Sequence, residues 1–299
     1  MTISIVLALI LALLSPFFYG FMNVLDKYVV SHKAKNAVSF GVIAQCVNFC
    51  VGIIIALLVS WKGITLHEIM FPVIAGILIG SQSFAYYIIM KNEDVSHMAG
   101  LLYVYPIIVA ILSFIFLNEK ISVISYIGMM LTLLGAVMLS VRLKKIKLKV
   151  SIWLFASFIL VVALYEFMVK VAVTNIPQFN GIAINEIIAS LTFAIVLFNK
   201  NIRNGVRFEL GNIKWALLTE TFTFLAMSTL YFAMSGLPAT IVSSVAAIQP
   251  FPVLIFERIM QKRFGKMTRD TSLKHKLIPI TLIVLGVILL YLPEILHLA

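Results

Sequence analysis

Residues Tyr87 to Lys120 read YIIMKNEDVSHMAGLLYVYPIIVAILSFIFLNEK. An apolar run ends at Lys91, a short polar corner follows, and a second apolar run passes through Pro106 to the Asn118-Glu119-Lys120 exit. The pattern returns 144 residues later as YFAMSGLPATIVSSVAAIQPFPVLIFERIMQKR, Tyr231 to Arg263. Tyr231, Met234 and Pro250 then fall on Tyr87, Met90 and Pro106 without a gap. A helix pair that occurs once in each half predicts a duplicated membrane protein.

The composition agrees. The 299 residues are 62% hydrophobic and 12% charged, against roughly 25% charged in soluble domains. Ten apolar runs approach the ~20 residues a helix needs to cross a ~30 Å hydrocarbon core. They cover approximately 3–27, 37–60, 68–90, 95–117, 122–141, 151–174, 181–199, 212–235, 239–260 and 276–293. Lipid offers no hydrogen bonds to the backbone, so such runs must be helices. The first run has no preceding Lys or Arg, so it reads as a span and not as a signal peptide. The polar insert Gln261 to Lys276 is basic and is expected at the headgroups.

The repeat extends beyond its clearest section. Tyr19, Phe21 and Met22 match Tyr165, Phe167 and Met168 at an offset of 146, and Gly41 and Gln45 match Gly181 and Asn185 at 140. Leu134-Gly135 returns as Leu285-Gly286. The offset changes only between spans, as insertions in loops would produce. Two units, 1–145 and 146–299, then hold five spans each, and the odd number turns the second upside down. The expected fold is an all-α polytopic membrane protein, ten transmembrane helices as two inverted five-helix repeats. Secondary transporters commonly use this plan, with the substrate site near the midplane.

Charge sets orientation. The net charge of +11 is no sign of nucleic acid, because 20 of the 23 Lys and Arg lie in or beside the connections after spans 1, 3, 5, 7 and 9. Lys62 and Lys120 are the two in the opposite connections. The positive-inside rule makes the basic set cytoplasmic and both termini external, in a multi-pass protein of the cell membrane. Cys46 and Cys50, four apart in one span, read as packing residues and not as a disulfide or metal pair.

The Tyr19-Gly20…Asn23…Lys27 run, the LLYVYPIIVAILSFIFLNEK segment, and Gly128 and Gly135 within YIGMMLTLLGAVML follow one another in a recognisable order. Together they resemble the EamA-type branch of the drug/metabolite transporter superfamily. The resemblance implies a ten-helix carrier that exports amino acids, other small metabolites or drugs, or that exchanges sugar phosphates or nucleotide sugars. It also implies cytoplasmic termini, contrary to the charge count. A second departure is Arg263, which stands where Glu119 would repeat, with Glu257 six residues earlier.

Candidate site residues are those that lipid should exclude. A charged side chain at a helix centre costs about 2.5–3.5 kcal/mol on insertion scales, so it faces a bundle interior or a cavity. Glu166 and Lys170 are four apart on one face of span 6, and Asn185-Glu186 lies near the start of span 7. A short connection predicts that these spans are antiparallel neighbours and that Glu166, Lys170 and Glu186 meet. Two carboxylates around one ammonium leave one acid ready to take up a proton, a proton-coupling or substrate-charge site. A neutralised structural cluster is the alternative. Glu220 in span 8 faces either the cavity or a neighbouring helix.

In the first half, Asn23 is the deep polar residue of span 1, whereas Asp26 and Lys27 read as anchors at the membrane boundary. Tyr86, Tyr105 and Gln249, the repeat-mate of Tyr105, add phenol and amide surface suited to a small amphipathic substrate; such aromatics are also ordinary packing residues. Pro106 and Pro250 are candidate kinks or gates in corresponding spans. Gly128, Gly135 and Gly286 form a small-residue seam, within the bundle or between the protomers of a homodimer; monomer and homodimer both remain open.

Other classes lack their signatures. The five histidines are scattered, no HExxH or Cys-rich set supplies a metal site, and no GxxxxGK[ST] loop marks a primary pump. No cofactor is expected. The reading is a secondary carrier of a small molecule in a lipid bilayer, an exporter by resemblance, working by alternating access; a channel or an intramembrane enzyme is the rival.

Overall fold

The computed structural model describes residues 3–93, 104–140, 150–264 and 277–296. All regular elements among them are helical. Helix α1 spans Ile5–His32, α2 Ala37–Leu58 and α3 Leu66–Asn92. After them come α4 at Tyr105–Leu117, α5 at Val123–Ser140, α6 at Ile152–Asn175 and α7 at Gln178–Phe193. The chain continues with α8 at Lys200–Glu209, α9 at Ile213–Gly236, α10 at Ala239–Ala246, α11 at Pro250–Phe264 and α12 at Leu277–Ile295. Among the described residues, eight stretches are long and apolar enough to cross a membrane, and α4 and α5 are shorter apolar helices. The chain is an all-α, multi-pass membrane protein.

Polar residues start these helices where the apolar runs begin. Asn36 accepts from the amides of Val38 and Ser39 at the head of α2. Thr65 and Glu68 form a reciprocal capping box at α3, and Asn199 caps α8. Asn118 ends α4 at φ 52°, in the left-handed region that asparagine tolerates.

Three expectations change. Span 9 is two helices, because Ala247 to Gln249 form a tight turn and Pro250 opens α11. Proline has no N–H to return to the preceding turn, so the helix restarts there. Pro106 likewise occupies the first turn of α4, so both candidate kinks are helix starts. The connection after span 7 is not a plain loop. Its basic segment KNIRNGVRFE is the amphipathic helix α8, docked on the first turn of α2 through Ser39, whose hydroxyl donates to Ile202 O. The start of expected span 4 and most of the basic insert, 94–103 and 265–276, lie outside the described residues.

The connections sort onto two faces. Glu209, before α9, accepts from the amides of Lys35 and Asn36 after α1; Glu93, after α3, accepts from Val150 N before α6. On the opposite face Asn180 donates to Ser60 O, and Glu119, after α4, accepts from Ala239 N at the start of α10. Odd connections touch odd ones and even touch even, as spans crossing alternately require.

The main packing runs between the two halves of the sequence: α1 on α9, α3 on α6 and α7, α2 on α7, and α5 on α12. Glycines permit the close approaches. A Cβ on Gly76 would lie 2.7 Å from Ile188 Cβ, and one on Gly52 would lie 2.9 Å from Ile187 Cγ1. Helix α7 therefore sinks onto α2 and α3 instead of running beside α6. The Gly128 and Gly286 seam also lies within one chain, joining α5 to α12.

Candidate functional site

Between the helices lies a cavity of about 180 Å³, lined from α1, α2, α3, α4, α6, α7, α9 and the α10–α11 turn. Four carboxyl groups face it: Asp26, Glu166, Glu186 and Glu220. All four are buried. Among the described residues, no Lys, Arg or His lines it.

Each acid has its own setting. Glu166 is held by two hydroxyl donors, Tyr105 Oη at 2.8 Å and Ser243 Oγ at 2.6 Å. Tyr105 precedes Pro106 at the start of α4, and Ser243 lies on α10, so one carboxylate ties both helices to α6. Glu220 on α9 accepts from Asn48 Nδ2 on α2 at 2.8 Å. Asp26 accepts from Tyr86 Oη at 2.8 Å, and Asn23 Oδ1 lies 3.0 Å from the same phenol oxygen. A phenol has one proton to give, so turning the Asn23 amide to point its N–H₂ at that oxygen serves all three groups. Glu186 Oε1 has no hydrogen-bond partner.

Of the residues singled out in the sequence, Asn23, Tyr86, Tyr105, Glu166, Asn185, Glu186, Glu220 and Gln249 line the cavity. Lys170 does not. Its ammonium donates to Met234 O and Leu237 O at 2.9 and 2.7 Å, where α9 ends, and lies 3.5 Å from Glu119 Oε1. The expected Glu166–Lys170–Glu186 cluster is not assembled: Lys170 is drawn to carbonyls freed at a helix end, and α3 lies against both α6 and α7. Lys27 is a corresponding correction. Its Nζ donates to Met90 O and Glu93 O at 2.7 Å each, at the end of α3, so it is a helix cap and not simply a headgroup anchor.

Asp26 and Asn48 also belong to the lining and were not picked out as site residues. Asp26 follows Asn23 by three residues, so the helical spacing carried the signal; its neighbour Lys27 masked it. Asn48, between the two cysteines, is an amide inside an apolar run, the same signal that singled out Asn23.

Residues 6–141 match the EamA-like transporter family. The matched part holds α1 to α5. Among solved structures 26 chains match; one, a crystal structure of a protein, is matched over 98% of both chains at TM-score 0.68 and 14% identity. At that identity the likeness is one of fold. No curated protein matches the chain. The EamA-like match and the apolar helices together support a multi-pass membrane transporter.

Proposed function

We propose that this EamA-like chain is a secondary carrier in the cell membrane. It exports a small metabolite through the carboxyl-lined cavity by alternating access and exchanges protons in doing so. The observation that carries the reading is the cavity itself. A pocket inside a membrane bundle, reached by helices from both halves and lined by four acids without a basic partner among the described residues, has no packing purpose. Its 180 Å³ is below the ~300–1,000 Å³ of pockets for drug-sized ligands, which favours a small solute over a nucleotide sugar. The missing basic lining also disfavours the sugar-phosphate exchanger.

Two inverted repeats, 1–145 and 146–299, supply the moving parts in this reading. The duplicated contacts support them. Lys27 caps Met90 and Glu93 as Lys170 caps Met234 and Leu237. Gly41 faces the Tyr87 ring as Gly181 faces the Tyr231 ring. A span interrupted beside the cavity, here just before Pro250, is typical of carriers.

Glu186 is the proposed proton carrier, because a buried carboxylate oxygen without a partner must be balanced by a proton or a cation. Asp26, Glu166 and Glu220 face the same cavity and tune it. Counterflow in proteoliposomes tests both claims. The wild type should show trans-stimulation of a labelled solute, with a rate that depends on pH; Glu186→Gln should abolish that dependence. Flux without trans-stimulation would indicate a channel, and an unchanged pH profile in Glu186→Gln would remove the proton role.

A further inference from the structure

The unpartnered atoms of the cavity share a chemistry. Asp26 Oδ1, Asn48 Oδ1, Asn185 Oδ1 and Glu186 Oε1 are buried without a hydrogen-bond partner, and all four residues line the cavity. Their side chains belong to residues only 2%, 5%, 0% and 2% exposed. Every one of these atoms is an acceptor. Leaving a buried acceptor unsatisfied is costly, so four on one small space call for a ligand that brings donors. Asn48 cannot simply turn round, because its Nδ2 is committed to Glu220.

Charge narrows the choice further. Four acids face the space and no basic lining residue opposes them among the described residues. We propose that the solute of this cavity is a small aliphatic primary amine, a short diamine above all, held through its ammonium N–H groups by Glu186, Asp26 and the Asn48 and Asn185 amides. The proposal rests on the carrier reading and names its substrate class.

The placement of the acceptors favours an organic cation over a bare metal ion. They come from α1, α2 and α7, and among the described residues no three His, Cys, Asp or Glu side chains gather to hold a metal. An ammonium carries three donors on a tetrahedral centre, and a second ammonium at the other end of a short chain extends the reach. Tyr19, Tyr87 and Tyr165 line the same space, with ring surface that suits both the methylene chain and a cation. A quaternary ammonium has the charge without the donors and leaves every orphan acceptor unmet.

Thermal shift of the purified protein, with labelled uptake and counterflow in proteoliposomes, provides the test. The probes are n-butylamine, 1,4-diaminobutane, tetramethylammonium, sodium and glutamate at equal ionic strength. The two amines should raise the melting temperature saturably, with 1,4-diaminobutane the tighter, and tetramethylammonium, sodium and glutamate should not. Glu186→Gln should weaken amine binding about tenfold, the loss of one charge-assisted hydrogen bond. Asp26→Asn provides the same measurement if Glu186→Gln does not fold. Equal shifts by tetramethylammonium or sodium, or unchanged amine affinity in a folded variant, overturn the proposal. Counterflow of glutamate or a neutral solute without amine binding would overturn this substrate class and leave the carrier standing. Saturable amine binding without counterflow would do the reverse.

Discussion

Lys27 and Lys170 are the residues whose roles differ most from what their positions in the chain imply. Each sits near the end of an apolar run, where a lysine is expected to reach for headgroups or for the nearest acid. Both instead close a helix end, with two carbonyls per ammonium. Removing the ammonium of Lys170 strands Met234 O, Leu237 O and one side of Glu119, largely out of water. Lys170→Met should therefore cost about 2–4 kcal/mol and lower the melting temperature by several degrees. Solute affinity in the folded variant should be unchanged; lost binding at unaltered stability would return Lys170 to the cavity. Glu166, Glu186 and Glu220 were legible because a carboxyl in an apolar run needs a reason. Asp26 was not, since a carboxyl beside a lysine at a span end looks like boundary chemistry until the helix is seen to continue to His32.

The helices were readable from hydropathy, but their partners were not. A short connection between α6 and α7 implied that they lie side by side. Sequence proximity says nothing of which surfaces can approach most closely, and Gly52, Gly76 and Gly80 make α2 and α3 the better seat for α7. The seam of α5 and α12 follows the same logic and was visible as glycines seven apart, Gly128 and Gly135. A Cβ on Gly128 would stand 2.6 Å from Gly286 O and from Leu290 N, both backbone atoms that cannot turn aside. Gly128→Leu should destabilise by about 1–3 kcal/mol or more through overpacking. Gly211→Ala, with nothing within 4 Å of the added carbon, should be neutral. Equal melting temperatures for the two variants would show that the seam is loose. The helix starts at Pro106 and Pro250 lay in plain view as prolines, yet the sequence left open whether each bends a helix or begins one.

At the scale of the molecule, the alternation of basic and neutral connections was the most informative pattern. The structure places odd connections together and even connections together. Which face is cytoplasmic rests on charge, and 20 of 23 Lys and Arg on one side is a large bias. In a variant with Cys46 and Cys50 replaced, Lys62→Cys should react with an impermeant thiol reagent on intact cells. Arg203→Cys should react only after permeabilisation, and the opposite result would invert the molecule. What the duplicated sequence could not convey is how deeply its halves interlock: the principal helix pairs each join a residue range before 145 to one after 146.

That interlocking surrounds a hollow whose oxygen atoms are short of hydrogens. A solute that brings donors to those oxygens would also act as a staple between the two halves. On the carrier reading proposed above, cells rich in the right solute should yield more intact protein than cells starved of it, because a bound solute favours the folded chain.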